Sequence, residues 1–285
     1  MNGILVIHKE KDYTSRDVVN IVSKILGTKK VGHTGTLDPM ATGVLVLCVG
    51  NGLKLVELLM EHDKEYIATI KLGIETDTLD ITGNVLKEQE VGSITKEQVE
   101  RVLKKFLGKS MQEVPKYSAV KVNGKKLYEY ARNGEDVVLP KKEIEISSIE
   151  LMSDIVENTF TIKCSVSKGT YIRSLVRDIG NALGTVATMT ELNRTRLGNF
   201  LLEDAYTVDD IRDGDYQLLE GFSVLDLPIV VVDQVLEKKI QNGCVLEKFF
   251  DENMVSIQNQ NGEMIAIYQK KDENRVKPYR MFSEK

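Results

Sequence analysis

Apolar positions along the chain repeat with two different periods. Residues 4–9 form an almost unbroken apolar run and predict a strand. Val18, Val19, Val22, Ile25 and Leu26 then fall on one face of a helix that Thr14 or Ser15 caps and Gly27 stops. Val44 to Val49 is wholly apolar, as a buried strand is, and residues 53–60 predict a short helix. Tyr66, Ala68, Ile70 and Leu72 alternate with Thr69 and Lys71, so residues 64–73 predict a strand. A hydroxyl-rich loop follows at residues 76–83. Thr95 and Gln98 then form a capping box for a helix through Val99, Val102, Leu103 and Phe106, ending at Gly108.

In the second half, residues 117–122 predict extended chain and residues 126–132 a basic helix closed at Gly134. Ile144, Ile146, Ile149 and Leu151 predict one strand; Phe160, Ile162, Cys164 and Val166 predict another. Residues 170–183 predict a helix with Arg173 and Arg177 four apart on one face. After Pro228 come short apolar alternations (residues 229–232, 255–257 and 264–268) with turns at Gly243 and Gly262. The expected architecture is α+β. A mixed, largely antiparallel sheet with flanking helices fills residues 1–227, and a small all-β barrel fills residues 228–285.

Composition removes several function classes. No segment approaches 18 uninterrupted apolar residues, so no membrane span is expected. The first nine residues read as a strand rather than a signal peptide. Cys48, Cys164 and Cys244 are far apart and in no metal spacing, which fits a reducing cytoplasm. The three histidines (His8, His33 and His62) are dispersed, so no metal site is expected.

Charge is unevenly placed. The net value of −5 disfavours a nucleic-acid partner, yet residues 109–132 and 163–196 each hold six basic against two acidic residues. Residues 270–280 hold five against two, whereas residues 197–226 carry eight acidic residues and only Arg212. Three basic segments separated by an acidic belt can build one positive face on an acidic protein.

The densest chemistry lies in Val31-Gly32-His33-Thr34-Gly35-Thr36-Leu37-Asp38-Pro39-Met40-Ala41-Thr42-Gly43. Taken alone, Asp-Pro starts a helix. Here three glycines, three threonines and a histidine surround one aspartate, and a buried strand stands behind them. That combination lets backbone approach a ligand and holds the loop still.

Four separated blocks resemble the bacterial tRNA pseudouridine synthase B family, which isomerises the uridine at position 55 in the T loop of tRNA. The first is residues 31–43, similar to the family's aspartate loop, with the nucleophile at Asp38. The second is Lys64-Glu65-Tyr66, similar to the strand bearing the active-site tyrosine. The third is Tyr117-Ser118-Ala119-Val120-Lys121-Val122-Asn123-Gly124-Lys125-Lys126-Leu127-Tyr128-Glu129-Tyr130-Ala131-Arg132. The fourth, Ser167-Lys168-Gly169-Thr170-Tyr171-Ile172-Arg173-Ser174-Leu175, resembles the segment with the active-site arginine, and residues 192–200 extend the match. The tail resembles the PUA RNA-binding module. Two departures occur: Lys9-Glu10-Lys11-Asp12 stands where the family has Lys-Pro-x-Gly, and Val114-Pro115 where it has Pro-Pro. They alter loop stiffness rather than catalytic groups.

The resemblance implies catalysis by Asp38, Tyr66 and Arg173, and substrate contacts at Lys9, His33, Thr36, Lys121, Lys168, Tyr171 and Leu192. It implies tRNA as partner, with no obligate protein partner and a monomeric chain. The reaction breaks the N-glycosidic bond, turns the base over and joins C5 to C1′, so no cofactor is demanded. Asp38 attacks C1′ or removes the 2′ proton; the residues leave both routes open. Arg173 would orient Asp38, Tyr66 would stack on uracil near C5, and His33 would fill the space left by the flipped base.

Three other readings compete. An RNA-binding module without activity needs none of Asp38, Tyr66 and Arg173. A glycoside hydrolase wants a second carboxylate, with Asp77 or Asp80 nearest in sequence, and aromatic sugar platforms that a chain without Trp supplies poorly. A guide-RNA-dependent synthase shares the motifs, but no extension for partner proteins is evident.

Overall fold

A computed structural model describes residues 1–220 and 223–282. Residues 221–222 of the acidic stretch and the last three residues of the expected tail domain lie outside it. The main sheet has nine strands. Its path runs Gly3–Lys9, Thr42–Val49, Ala187–Leu197, Lys64–Leu72, Thr159–Val166, Lys141–Leu151, Gly108–Glu113. Val31–His33 pairs beside Thr42–Val49, and Phe200–Leu201 beside Ala187–Leu197. Every pairing is antiparallel except that of Ala187–Leu197 with Thr42–Val49, which makes the sheet mixed.

That parallel crossing is tight. At Gly43, with φ at 108°, an added Cβ would stand 2.2 Å from the Arg194 carbonyl oxygen, so only glycine lets the strands meet there. On Lys64–Leu72 the alternate residues Lys64, Tyr66, Ala68, Ile70 and Leu72 are buried. Ala68, Ile70 and Leu72 meet Phe160, Ile162 and Met189 from neighbouring strands, and Leu175, Val176 and Ile179 of the Ile172–Ala182 helix, in one core. The three-residue step from Ile146 to Ile149 is a bulge between Ile146 and Ser148 that returns the apolar side chains to the core face.

Several expectations are adjusted. Residues 53–60 are two pieces, a 3-10 turn at Gly50–Leu55 and a short α-helix at Val56–Met60. Extended pairing covers Lys121–Val122 alone, while residues 116–119 form a bend. Gly108–Glu113 and Ala187–Leu197 are strands that the apolar pattern did not disclose. Ala187–Leu197 is central to the sheet but carries polar residues because it lines the site on one face. Both caps, at Thr14 and Thr95, form as capping boxes.

The second sheet has five strands, in the order Ile229–Val231, Met254–Gln258, Met264–Lys270, Arg275–Met281, Leu246–Glu247. It also carries a helix, Gln234–Gln241, capped by Asp233. The tail is not an independent bead. Ile267 is buried in a cluster with Ile4, Val44, Val46 and Leu55 of the body. Lys54 Nζ donates to the Met281 carbonyl (2.8 Å), and Arg280 pairs with Glu57. No helix of the described residues is long and apolar enough to cross a membrane.

Candidate active site

The aspartate loop is pinned from four directions. The Ser15 hydroxyl accepts from the Leu37 N–H (2.9 Å) and donates to the Leu37 carbonyl (3.2 Å). Arg194, 1% exposed, donates from Nε to the Val44 carbonyl (2.7 Å) and from Nη2 to the Gly35 carbonyl (3.2 Å). The Asp12 N–H donates to the Pro39 carbonyl (2.9 Å). Lys9 Nζ donates to the same oxygen (3.2 Å) and to the carbonyls of Glu10 (2.9 Å) and Tyr13 (2.6 Å). Asp12 holds φ at 70° where the resembling pattern has glycine, so the left-handed bend survives the departure at the cost an L-residue meets there.

Opposite the loop stands Arg173, second residue of the Ile172–Ala182 helix and 7% exposed. Its Nε lies 3.0 Å from Asp38 Oδ2 and its Nη2 3.4 Å from Asp38 Oδ1, a two-point contact along one edge of the guanidinium. The other donors go to the carbonyls of Thr78 (2.9 Å) and Tyr117 (3.0 Å). Asp80 lies 3.8 Å from Nη1, buried and held by the Thr78 hydroxyl (2.9 Å), the Thr82 N–H (3.0 Å) and the Thr82 hydroxyl (2.5 Å). With each of its three nitrogens engaged, the guanidinium has little freedom to turn.

Asp38 and Arg173 stand in the wall of a cleft of about 790 Å³, within the roughly 300–1,000 Å³ of small-ligand sites. Tyr66, Thr36, Tyr171, Leu192 and Lys168 line it too, as do Lys64, Ser118, Tyr128, Lys142 and Arg194. Burial raises the Tyr171 phenol above the ordinary tyrosine value, so it stays protonated. Burial, reinforced by Arg194, lowers Lys64 to about 8, and its ammonium donates to the carbonyls of Met60 (3.0 Å) and His62 (2.6 Å). Lys168 pairs with Glu61 at the rim.

Three of the expected contacts do not line the cleft. Lys9 is fully buried, and its ammonium donates to backbone carbonyls of the aspartate loop and its neighbours, which it holds in place. His33 borders a separate hollow with Arg16, Lys54, Glu57 and Arg280 at the junction of body and tail. Burial lowers its pKa, with Arg16 and Arg194 adding to the effect. Lys121 is exposed on its short hairpin, away from the cleft wall. Conversely, Ser15, Asp80 and Arg194 enter the site's framework without having been assigned it. In sequence Asp80 stands out only as a second carboxylate, and Arg194 only as part of a matching block. The signal available for both was a charged residue within an otherwise strand-forming or loop-forming motif.

The chain matches the model of TruB family pseudouridylate synthase (N terminal domain) over residues 23–172. The model of the tRNA pseudouridylate synthase B C-terminal domain matches residues 173–236. It is 42% identical to tRNA pseudouridine synthase B of Bacillus pumilus, over 100% of this chain and 98% of that one. To the protein of that name in Caldanaerobacter subterraneus it is 39% identical, over 99% of each. Among solved structures, a chain of an H/ACA RNP bound to a substrate RNA containing 2′-deoxyuridine is similar at a TM-score of 0.72. It is 24% identical and covers 99% of this chain and 85% of that one, a likeness of fold.

Proposed function

Because the chain belongs to the TruB family of pseudouridylate synthases, isomerases of uridine in RNA, we propose that it acts on the uridine at position 55 in the T loop of tRNA, with Asp38 as its reacting group. The observation that carries this reading is the two-point contact between Arg173 and Asp38 in the wall of a nucleotide-sized cleft. Asp38 keeps 35% of its side chain exposed while Arg173 keeps 8%, so the carboxylate is anchored from behind and open in front.

That arrangement supports the following steps. The target nucleotide leaves its stack, at a few kcal/mol of unstacking, to reach the recessed carboxylate. Arg173 fixes one edge of Asp38, leaving the free lone pairs to meet C1′ or the 2′ proton. Tyr66, buried beside Asp38 in the cleft wall, offers a stacking face for uracil and a hydroxyl for the C5 proton. The apolar wall of Leu192 and Ile172 keeps the freed base from solvent while it turns over.

Binding of the RNA itself falls to the basic segments, with the tail sheet extending the surface. Glu203 and Asp204 of the acidic belt border a different hollow from the cleft, which supports the separation of charges read from the sequence. The full-length similarity to tRNA-acting relatives supports a chain that works without a guide RNA or partner protein.

The test is incubation of the protein alone with an unmodified tRNA transcript, followed by mapping of pseudouridine. Formation at position 55, abolished when that uridine is replaced by cytidine, is the expected result. Absence of pseudouridine would defeat the reading.

A further inference from the structure

Ser118 is a polar residue of the cleft that the chemistry above leaves unused. It is 7% exposed and lines the cleft beside Tyr117, Tyr171 and Arg173. Its backbone is committed: the N–H donates to the Lys116 carbonyl (3.1 Å), and the carbonyl accepts from the Tyr128 N–H (3.1 Å). The hydroxyl, by contrast, has no hydrogen-bond partner among the described residues. The Tyr171 phenol is close enough for the Ser118 hydroxyl to pull its pKa down against the larger rise from burial, but the pair does not meet hydrogen-bond geometry.

A buried hydroxyl without a partner destabilises a fold, and native proteins retain few of them. His33, Thr185, Asn193 and Ser256 also carry such atoms, but none of these residues lines the cleft. The bend that carries Ser118 is held rigid by the same stretch whose Tyr117 carbonyl bonds Arg173, so the hydroxyl is fixed relative to the reacting pair. That is how a group looks when its partner arrives with the ligand.

We infer that Ser118 Oγ is a substrate contact that hydrogen-bonds the polar edge of the flipped uracil. The inference rests on the cleft being the uridine pocket. Uracil presents two carbonyls and an N3–H on that edge, and a hydroxyl both donates and accepts. Once the base has left its stack, and again once the glycosidic bond is broken, such a bond keeps it registered against Asp38.

The experiment compares wild type with Ser118→Ala and Ser118→Thr. Affinity is measured for two T-arm stem-loops, one with uridine and one with an abasic ribose at the target. Melting temperature and kcat/KM on the tRNA transcript are measured alongside. Ser118→Ala is expected to weaken the uridine stem-loop by roughly 5- to 10-fold and leave the abasic one unchanged. It should lower kcat/KM and leave the melting temperature equal or higher, while Ser118→Thr, which keeps a hydroxyl, should restore part of the loss. An equal loss on the abasic RNA would overturn the base contact, as would unchanged affinity for both RNAs. A lower melting temperature in Ser118→Ala would show a partner within the protein and overturn it too. An inactive wild type would instead defeat the parent reading.

Discussion

Arg173 meets Asp38 along the Nε–Nη2 edge of its guanidinium, at 3.0 and 3.4 Å, and reaches Asp80 only through the remaining corner, at 3.8 Å. One buried cation thus serves two carboxylates that differ in setting. Asp38 is a third exposed and faces the cleft, whereas Asp80 is buried and takes two hydroxyl donors and one amide donor on Oδ1.

A lysine at position 173 keeps the charge but cannot reproduce the edge contact and the two carbonyl bonds together. Arg173→Lys is expected to lower kcat on the order of 100-fold, the scale of a small misplacement of a reacting group. Asp80→Asn should cost less in rate and more in stability, because it loosens the partner rather than the reactant and breaks a buried charged network. Single-turnover rates and melting curves check both. Near-normal turnover in Arg173→Lys would leave Arg173 as a general electrostatic contact.

Tyr66→Phe keeps the stacking face and removes the hydroxyl. Affinity for tRNA should be unchanged while turnover falls by roughly 100-fold, the contribution of a positioned proton-transfer group. An unchanged rate would leave Tyr66 the stacking role alone.

Lys9 gives a pH signature. Burial lowers its folded-state value to about 8, against 10.5 for the free side chain. Between those values the unfolded chain binds more protons than the folded one, so this residue's effect is a gain in stability as pH rises from about 8 to 10.5. The difference in stability between wild type and Lys9→Met should therefore grow across that interval in favour of wild type. Turnover should fall over the same range, as the ammonium that grips the Pro39 carbonyl loses its proton. Equilibrium denaturation at several pH values measures the first and initial rates the second. A difference that does not vary with pH would reject the assignment.

Affinity for tRNA should fall steeply with salt, each neutralised phosphate adding roughly 0.7 to 0.9 to the log–log slope. Lys270 and Lys271 border a hollow of the tail with Lys248, Asp272 and Glu273, and charge reversal of Lys270 and Lys271 should reduce that slope by one to two contacts' worth. Such substitutions are a cleaner probe than removing the tail, because deletion would uncover the cluster that Ile267 shares with Ile4 and Val44. A flat salt dependence would exclude a phosphate-binding face.

How much of this was legible in the chain depended on the kind of signal. Helices with caps and strands with clean alternation announced themselves: Thr14, Thr95 and the series from Tyr66 to Leu72 formed as their patterns require. Ala187–Leu197 did not, because its residues answer to the site on one side and to the sheet on the other. The helix Gln234–Gln241 was hidden for a different reason, being a short, mostly polar segment whose apolar residues Leu236 and Ile240 pack against the tail sheet. Asp38, Tyr66 and Arg173 were singled out through motif resemblance, which no periodicity supplies, and the fold brings the three to one cleft. The burial of Lys9 against backbone carbonyls is a property of the fold and not of the motif. Ser15 and Arg194 act by bonding the backbone of the aspartate loop, and such long-range bonds leave no local trace in sequence.

The central claim is that Asp38 performs the chemistry while other groups bind the RNA, and one comparison addresses it directly. Wild type and Asp38→Asn are given the same unmodified tRNA transcript, and pseudouridine at position 55 is followed alongside equilibrium affinity. The account predicts affinity within about two-fold, since phosphate contacts dominate binding, and a rate lowered by at least roughly 10³-fold, since the carboxylate acts in the transition state. Pseudouridine formed by Asp38→Asn at a substantial fraction of the wild-type rate would contradict it.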